Sequence, residues 1–324
     1  MIENNYSARD APDPAASHLT LLIPAQCAGL RIDQALAQMI PEHSRSRIAA
    51  WLKDGRILLD SRAVRPDVKV WGGESVDLAV PADPRDAPPQ AQDIRINVVY
   101  EDDAVLVIDK PAGLVVHPGS GNWSGTLLNA LLHHAPGLQE VPRAGIVHRL
   151  DKDTSGLLVV AKTLTAQTSL VRQLQARTVE RTYLALVQGR VAHEGEVDAP
   201  IGRDPRNRVR MAVLASGKPA LTRYRVQTRY AQVTLLECKL STGRTHQIRV
   251  HLQSIGHPLV GDPVYRGAQG AAKSVAGANG AFVVIERQAL HAQRLAFLHP
   301  QSGARVEFQA PLPADLQRLL DSLS

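Results

Sequence analysis

The chain has 324 residues, of which 44% are hydrophobic, 4% aromatic and 21% charged. That length suggests two domains of roughly 150 residues each, and the apolar content excludes a wholly disordered chain or a disulfide-stapled miniprotein. Lys and Arg number 37 against 31 Asp and Glu, a formal charge of +6, while the scarcity of aromatics argues against an RNA binder built on rows of stacking rings.

In chain order, residues 1–18 are polar and aperiodic, the pattern of a disordered tail. Ile32, Ala35, Leu36, Met39 and Ile40 fall at helical spacing, and Pro41 stops that helix. Ser44 caps a second predicted helix, which carries Ile48, Trp51 and Leu52 and ends at Gly55. Short strands are predicted at 56–60, 63–64 and 74–80. Residues 19–80 therefore read as a small α+β module. Within 44–56, Arg45, Arg47, Lys53 and Arg56 stand against one acid, Asp54. They form a candidate RNA-binding face, and the ordinary alternative is a solvated charged surface. Residues 81–92, P-A-D-P-R-D-A-P-P-Q-A-Q, hold four prolines and read as a stiff, extended linker.

A second domain is expected over 93–324. Strands are predicted at 98–100, 105–108, 157–161, 183–187, 222–230 and 233–240, and helices at 126–133, 166–176 and 245–254. Many strands with few, unevenly placed helices suggest an α+β fold rather than an alternating α/β wind. Residues 266–281 are rich in Gly and Ala and read as a surface loop. The net charge is local: residues 201–225 hold Arg203, Arg206, Arg208, Arg210, Lys218, Arg223 and Arg225 against Asp204 alone. The stretch 203–210 reads as a basic loop and a second candidate phosphate-binding surface.

Several chemistries are unexpected. Cys27 and Cys238 are the only cysteines, so neither a cysteine zinc site nor a disulfide framework is expected, and a reducing, cytoplasmic setting fits. No apolar run approaches the ~18 residues of a membrane span, and the N-terminus lacks a secretory apolar stretch. H-E-x-x-H is absent, and His246 and His251 would sit about 140° apart on a helix, a poor metal pair. With no G-x-G-x-x-G and no G-x-x-x-x-G-K-[ST], no metal, nicotinamide or nucleotide cofactor is expected.

Three clusters remain. The densest is G-I-V-H-R-L-D-K-D-T-S-G at 145–156, directly before an apolar strand. Its residues fit a turn, with Asp153 able to close an Asx-turn. Asp151, Asp153, Ser155 and Gly156 also match the start of an EF-hand loop, but Lys162 stands where that loop needs a bidentate Glu, which rules calcium out. The second is T-G-R-T-H-Q-I-R-V-H at 242–251. A helix capped by Thr245, with Ile248, Leu252 and Ile255 buried, explains its apolar residues but not Arg244, His246, Arg249 and His251. An arginine here could hold a buried carboxylate ionised. The third, R-T-Y-L-A at 181–185, places Tyr183 in a strand, by itself an ordinary core position.

In this order the motifs resemble the RluA-type pseudouridine synthases. The likeness extends to Y-E-D-D-A-V-L-V-I-D-K-P-A-G-L-V-V-H-P-G at 100–119 and H-P-L-V-G-D-P-V-Y at 257–265. R-A-G-I-V-H-R-L-D-K-D-T at 143–154 and M-A-V at 211–213 are similar to the D-type branch of the large-subunit enzymes. The first module resembles the alpha-L RNA-binding domain. The resemblance spans about residues 19 to 320, apart from the Gly/Ala-rich stretch.

The resemblance implies a mixed, largely antiparallel sheet with flanking helices. It implies isomerisation of uridine to pseudouridine in large-subunit ribosomal RNA, at the subunit-interface stem-loop, by a monomer. Asp151 is then the catalytic aspartate, Arg249 its basic partner and Tyr183 the motif tyrosine that stacks under the uracil. Arg149 fills the gap left by the flipped nucleotide, and His148, Arg244 and His246 become RNA contacts. Whether Asp151 attacks the sugar, attacks the ring or takes a sugar proton stays open. Three other readings remain: a synthase for other ribosomal or transfer RNA sites, a non-catalytic RNA-binding assembly factor, and a nucleosidase using Asp153 as a second carboxylate.

Overall fold

The computed structural model describes residues 17–80, 88–119, 121–207, 209–266, 274–278, 280 and 282–324. Residues 1–16 of the expected tail, 81–87 of the expected linker, Arg208 of the basic stretch and 267–273, 279 and 281 of the Gly/Ala-rich stretch lie outside the described residues. The chain divides into two compact units, Met1–Pro88 and Pro89–Ser324.

The first unit sets two helices, α1 (Ile32–Met39) and α2 (Arg45–Lys53), on an antiparallel sheet. Its strands are β1 (Ser17–Leu22), β2 (Ile57–Leu59), β3 (Arg62–Ala63) and β4 (Ser75–Val80), in the order β1-β4-β2-β3. The Ser44 hydroxyl accepts the Arg47 N–H and starts α2. Ile32, Leu36, Ile48 and Leu52 then pack on Ile57, Val76 and Leu78.

The second unit is built on a nine-stranded sheet. In chain order it contains β5 (Asn97–Glu101), β6 (Val105–Lys110), α3 (Leu127–His134), β7 (Ser155–Ala161), α4 (Leu164–Gln175), β8 (Glu180–Gln188), β9 (Gly195–Asp198), β10 (Ile201–Arg203) and β11 (Met211–Val213). β12 (Leu221–Arg229), β13 (Val233–Leu240), α5 (Gln247–Ser254), β14 (Ser274–Ala276), β15 (Phe282–Val284), β16 (Leu290–Leu298), β17 (Arg305–Gln309) and α6 (Ala314–Leu323) follow. The sheet order is β5-β6-β7-β16-β8-β13-β12-β9, with β17 also paired to β16. Every pairing in it is antiparallel except β7 with β16.

Side chains alternate between the two sheet faces. Leu106, Ile108, Leu158, Ala185 and Leu236 meet Leu127 and Leu131 of α3 and Ile248 and Leu252 of α5. Val105, Val107, Leu157 and Val159 meet Ala166 and Leu170 of α4, while Leu184 and Leu186 meet Leu316 and Leu319 of α6. The fold is α+β, as the element pattern predicts. The described residues between β10 and β11 form the expected basic loop, closing a short hairpin. Three details differ from the expected pattern. Ser274–Ala276, within the expected Gly/Ala-rich loop, forms β14 and pairs with β15. α5 starts at Gln247 with His246 as its cap rather than Thr245. Ile255 lies past the end of α5 and is exposed, because the helix stops one residue before it.

Candidate active site

The site grows from one loop. Gly145 and Gly156 bracket it at φ +74° and +112°, backbone angles that side chains disfavour. A Cβ at Gly145 would fall 1.8 Å from the Ala161 carbonyl oxygen, and one at Gly156 would fall 2.2 Å from that of Ala292. Parallel pairing of β7 with β16 lasts only from Ser155 to Gly156. Farther along β7, Val160 bridges Ile146 of the loop instead. The loop is also pinned through its carbonyls. The Lys110 ammonium, fully buried at the end of β6, donates to the carbonyls of Pro111, Leu114 and Lys152 at 2.7, 3.0 and 2.9 Å. Arg287 donates to the Asp153 carbonyl at 3.1 Å and is itself held by both oxygens of Asp315. Burial drives Lys110 down to about 7 against the pull of Asp153 and Asp151.

Asp151, set at the loop's apex, meets α5. Its Oδ2 accepts from Arg249 Nη1 at 3.0 Å, and its Oδ1 lies 3.9 Å from His246 Nε2. Arg249 is buried and gripped from behind by Asp262, whose oxygens accept Nε at 2.7 Å and Nη2 at 2.9 Å. The Asp262 carboxylate also accepts the N–H groups of Val264 and Tyr265, both at 2.9 Å. Burial works against the Arg249 charge, but Asp262 and then Asp151 outweigh it and raise its proton affinity. The guanidinium carbon also lies 4.9 Å from the centre of the Tyr265 ring. The Tyr265 hydroxyl accepts the Met211 N–H at 2.9 Å and lies 2.8 Å from His246 Nδ1. If it donates to Nδ1, the ring proton sits on Nε2, the nitrogen facing Asp151. His246 holds this place at φ 56°, ψ 24°, a left-handed conformation uncommon for a residue other than glycine.

Asp151, His246 and Arg249 line a cleft of about 610 Å³, with Asp262 behind them. Tyr183 enters it from β8, buried to 5% exposure. Burial pushes its hydroxyl up to about 12, with Arg181 pulling down and Asp151 pushing up, so it stays protonated near neutrality. Arg149 is exposed at the same cleft, and Arg244 lines it while donating to the Pro219 carbonyl. His148 lines it too, but its Nε2 accepts the Val159 N–H, and burial together with Arg181 lowers it to about 3. It is therefore a neutral strut between loop and β7, with no charge to offer a phosphate. Among the described residues Asp151 is the single acid lining the cleft, and Asp153 does not line it.

The basic candidates divide. Arg203 lines a second groove of about 420 Å³ that shares Gly243, Arg244 and Thr245 with the first. Arg206 is exposed on the hairpin loop, and Arg210 stacks over Tyr265 at 5.3 Å. Arg45, Arg47, Lys53 and Arg56 belong to the first unit. There Arg45 pairs with Asp33 at 3.1 Å, and Arg47 lies 5.2 Å over the Trp51 ring. Lys53 and Arg56 are exposed. Sequence reasoning gave no role to Asp262, Tyr265, Arg181, His117 or Arg143, all part of this site or its walls. The first two stand in H-P-L-V-G-D-P-V-Y, where a Gly-Asp turn was the available signal. Among the described residues no three His, Cys, Asp or Glu side chains gather as metal ligands, and no helix is long and apolar enough to cross a membrane.

Residues 104–254 match the family model described as RNA pseudouridylate synthase. The chain is 55% identical to the ribosomal large subunit pseudouridine synthase D of Nitrosomonas europaea, over 98% of this chain and 93% of that protein. It is 50% identical to the protein of that name in Escherichia coli, over 94% and 93%. Among solved structures, human RNA pseudouridylate synthase domain containing 1 superposes with a TM-score of 0.53 at 28% identity, covering 73% of this chain and 97% of that one.

Proposed function

The chain belongs to the RNA pseudouridylate synthase family, and on that premise we propose that it isomerises uridine to pseudouridine in large-subunit ribosomal RNA. In this reaction the N1–C1′ bond of uridine breaks and a C5–C1′ bond forms. The proton lost from C5 is balanced by one gained at N1, so neither redox partner nor water is consumed. Asp151 is the reacting carboxylate. Arg249, fixed by Asp262, orients it through the 3.0 Å contact from Nη1 to Oδ2. Tyr183 stacks under the uracil as a protonated phenol. Arg149 fills the stack vacated by the flipped nucleotide, offsetting part of a flipping cost of a few kcal/mol. Residues 19–80 act as an RNA-gripping module ahead of a linker at 81–92 and a catalytic domain at 93–324. The enzyme works as a cytoplasmic monomer on the subunit-interface stem-loop.

The observation that carries this reading is a single carboxylate, Asp151, backed by a buried arginine in a cleft whose other charged walls are arginines. A glycosidase-like cut needs two carboxylates flanking the bond, and among the described residues Asp151 is the only carboxylate that lines this cleft. A purely structural RNA-binding role has no use for the reinforced Asp151–Arg249 pair. The test is to incubate unmodified large-subunit RNA with the protein and with Asp151→Asn, then map pseudouridine by carbodiimide-blocked reverse transcription. Wild type is expected to create stops that Asp151→Asn does not. Stops that persist in the variant, or release of free uracil, would overturn the assignment.

A further inference from the structure

We propose that Arg181 is a phosphate clamp, its guanidinium gripping the nonbridging oxygens of one backbone phosphate next to the target uridine. The proposal rests on the RNA-modifying reading above. Arg181 stands on β8 two residues before Tyr183, so both side chains leave the same face of the strand, and both line the cleft. Arg181 is only 8% exposed. Its Nε is sealed off and meets no acceptor. The other two buried arginines among the described residues are each satisfied by carboxylates, Arg249 by Asp262 and Asp151, and Arg287 by Asp315. A buried charge left without a counter-ion is costly, and a fold that retains one beside a ligand cleft leaves the counter-ion to the ligand.

The surroundings favour that use. The turn at Gly243 closes on the guanidinium so tightly that a Cβ there would stand 2.8 Å from Nη1, so any side chain at 243 would displace it. His148, the neighbouring titratable group, is neutral, which leaves the charge of this wall to Arg181. A uracil carbonyl is a neutral acceptor and would not compensate a buried cation. A phosphate would, and its paired oxygens match the planar fork of a guanidinium.

The test uses the full chain in the inactive Asp151→Asn background, with stem-loop RNA carrying a single neutral methylphosphonate on either side of the target uridine. Arg181→Gln and Gly243→Ala are each expected to weaken binding about tenfold, the scale of one charge-assisted contact. Arg181→Gln should also flatten the salt dependence by about 0.7–0.9 in log–log slope, one phosphate. At one position the methylphosphonate should weaken binding to the Asp151→Asn protein but cause no further loss with Arg181→Gln. Without RNA, Arg181→Gln should melt at or above the parent temperature, because a buried charge has been removed. Losses that add at both phosphate positions would overturn the clamp. So would a melting temperature lowered by both Arg181→Gln and Arg181→Lys, the mark of a purely structural arginine. Absence of pseudouridine formation by wild type would instead defeat the functional reading, and the methylphosphonate pairing would still judge the clamp.

Discussion

Replacing Asp262 with Asn tests whether Arg249 is held by the protein or by its partner Asp151. The Asp262 side chain is fully buried and accepts four N–H groups. Asn can keep the three bonds made to Oδ1. Its NH₂ would then face Arg249 Nε across the 2.7 Å now spanned by a hydrogen bond, donor against donor. The substitution also strips the guanidinium of its buried counter-ion. Breaking a buried pair from one side costs about 3–5 kcal/mol. Asp151 still offers a charge at 3.0 Å, which places the expected loss near the lower end, about 3 kcal/mol. A domain stable by about 5–15 kcal/mol survives that, so urea unfolding and turnover can be measured on the same variant. Turnover should fall further than stability alone explains, because an arginine free to swing no longer fixes Asp151, and misplacement by about 1 Å can cost roughly a hundredfold. An unfolding free energy within about 1 kcal/mol of wild type, together with an unchanged rate, would refute the idea that Asp262 sets the site.

Lys110 gives a pH signature: burial lowers it from 10.5 to about 7, so between those values the unfolded chain holds more protons and stability rises with pH, by about 1.4 kcal/mol per unit. Urea midpoints of wild type relative to Lys110→Met should show that slope from pH 7 to 10, and parallel curves would contradict it. Arg149→Ala should leave stability within about 0.5 kcal/mol, since the side chain is exposed, yet slow single turnover on structured RNA about tenfold. An equal loss on a single-stranded substrate, where little flipping is needed, would remove Arg149 from that step. Replacing Arg203, Arg206 and Arg210 with Ala should reduce the salt slope of RNA binding by about 0.7–0.9 for each phosphate no longer neutralised, and an unchanged slope would remove the hairpin loop from the interface.

What the sequence made legible follows from where each signal resides. The loop at 145–156 was readable because its chemistry is local: the two glycines, Asp151 and the turn-forming residues lie within twelve positions. Arg249 stood out as a cation on an apolar helix. The Arg249–Asp262 clamp joins residues thirteen apart across the end of α5, a relation that leaves no periodic trace. β16 escaped for a related reason. It is buried along most of both faces, so it lacks the alternation that marks a half-buried strand. β10 and β11 are three residues each, too short to show a period. Arg181 did leave a signal. Tyr183 was assigned to a strand, and position 181 necessarily shares its face, so an inward-pointing arginine could have been read directly.

The cleft separates fixed charge from titratable charge, which sets an expectation for pH. Three histidines line it, His117, His148 and His246. Burial lowers all three, aided by Arg143 and Arg149 at His117 and by Arg181 at His148. At His246 burial is opposed by Asp151 but still prevails. Each is therefore neutral from the ordinary histidine range upward, and the positive potential of the cleft comes from arginines, which stay charged. For folding, each histidine contributes stability that is present above about pH 6.5 and lost as the pH falls, because the unfolded chain takes up the proton first. For RNA binding, arginine charge does not change between about pH 6.5 and 8.5, so the affinity of the Asp151→Asn protein for its stem-loop should stay flat across that interval at constant salt. Uptake of a proton on binding near neutral pH, read as a slope of one in log affinity against pH and persisting in Lys110→Met, which removes the lysine that falls to about 7, would mean that a histidine carries the phosphate contact and that the arginine wall does not suffice.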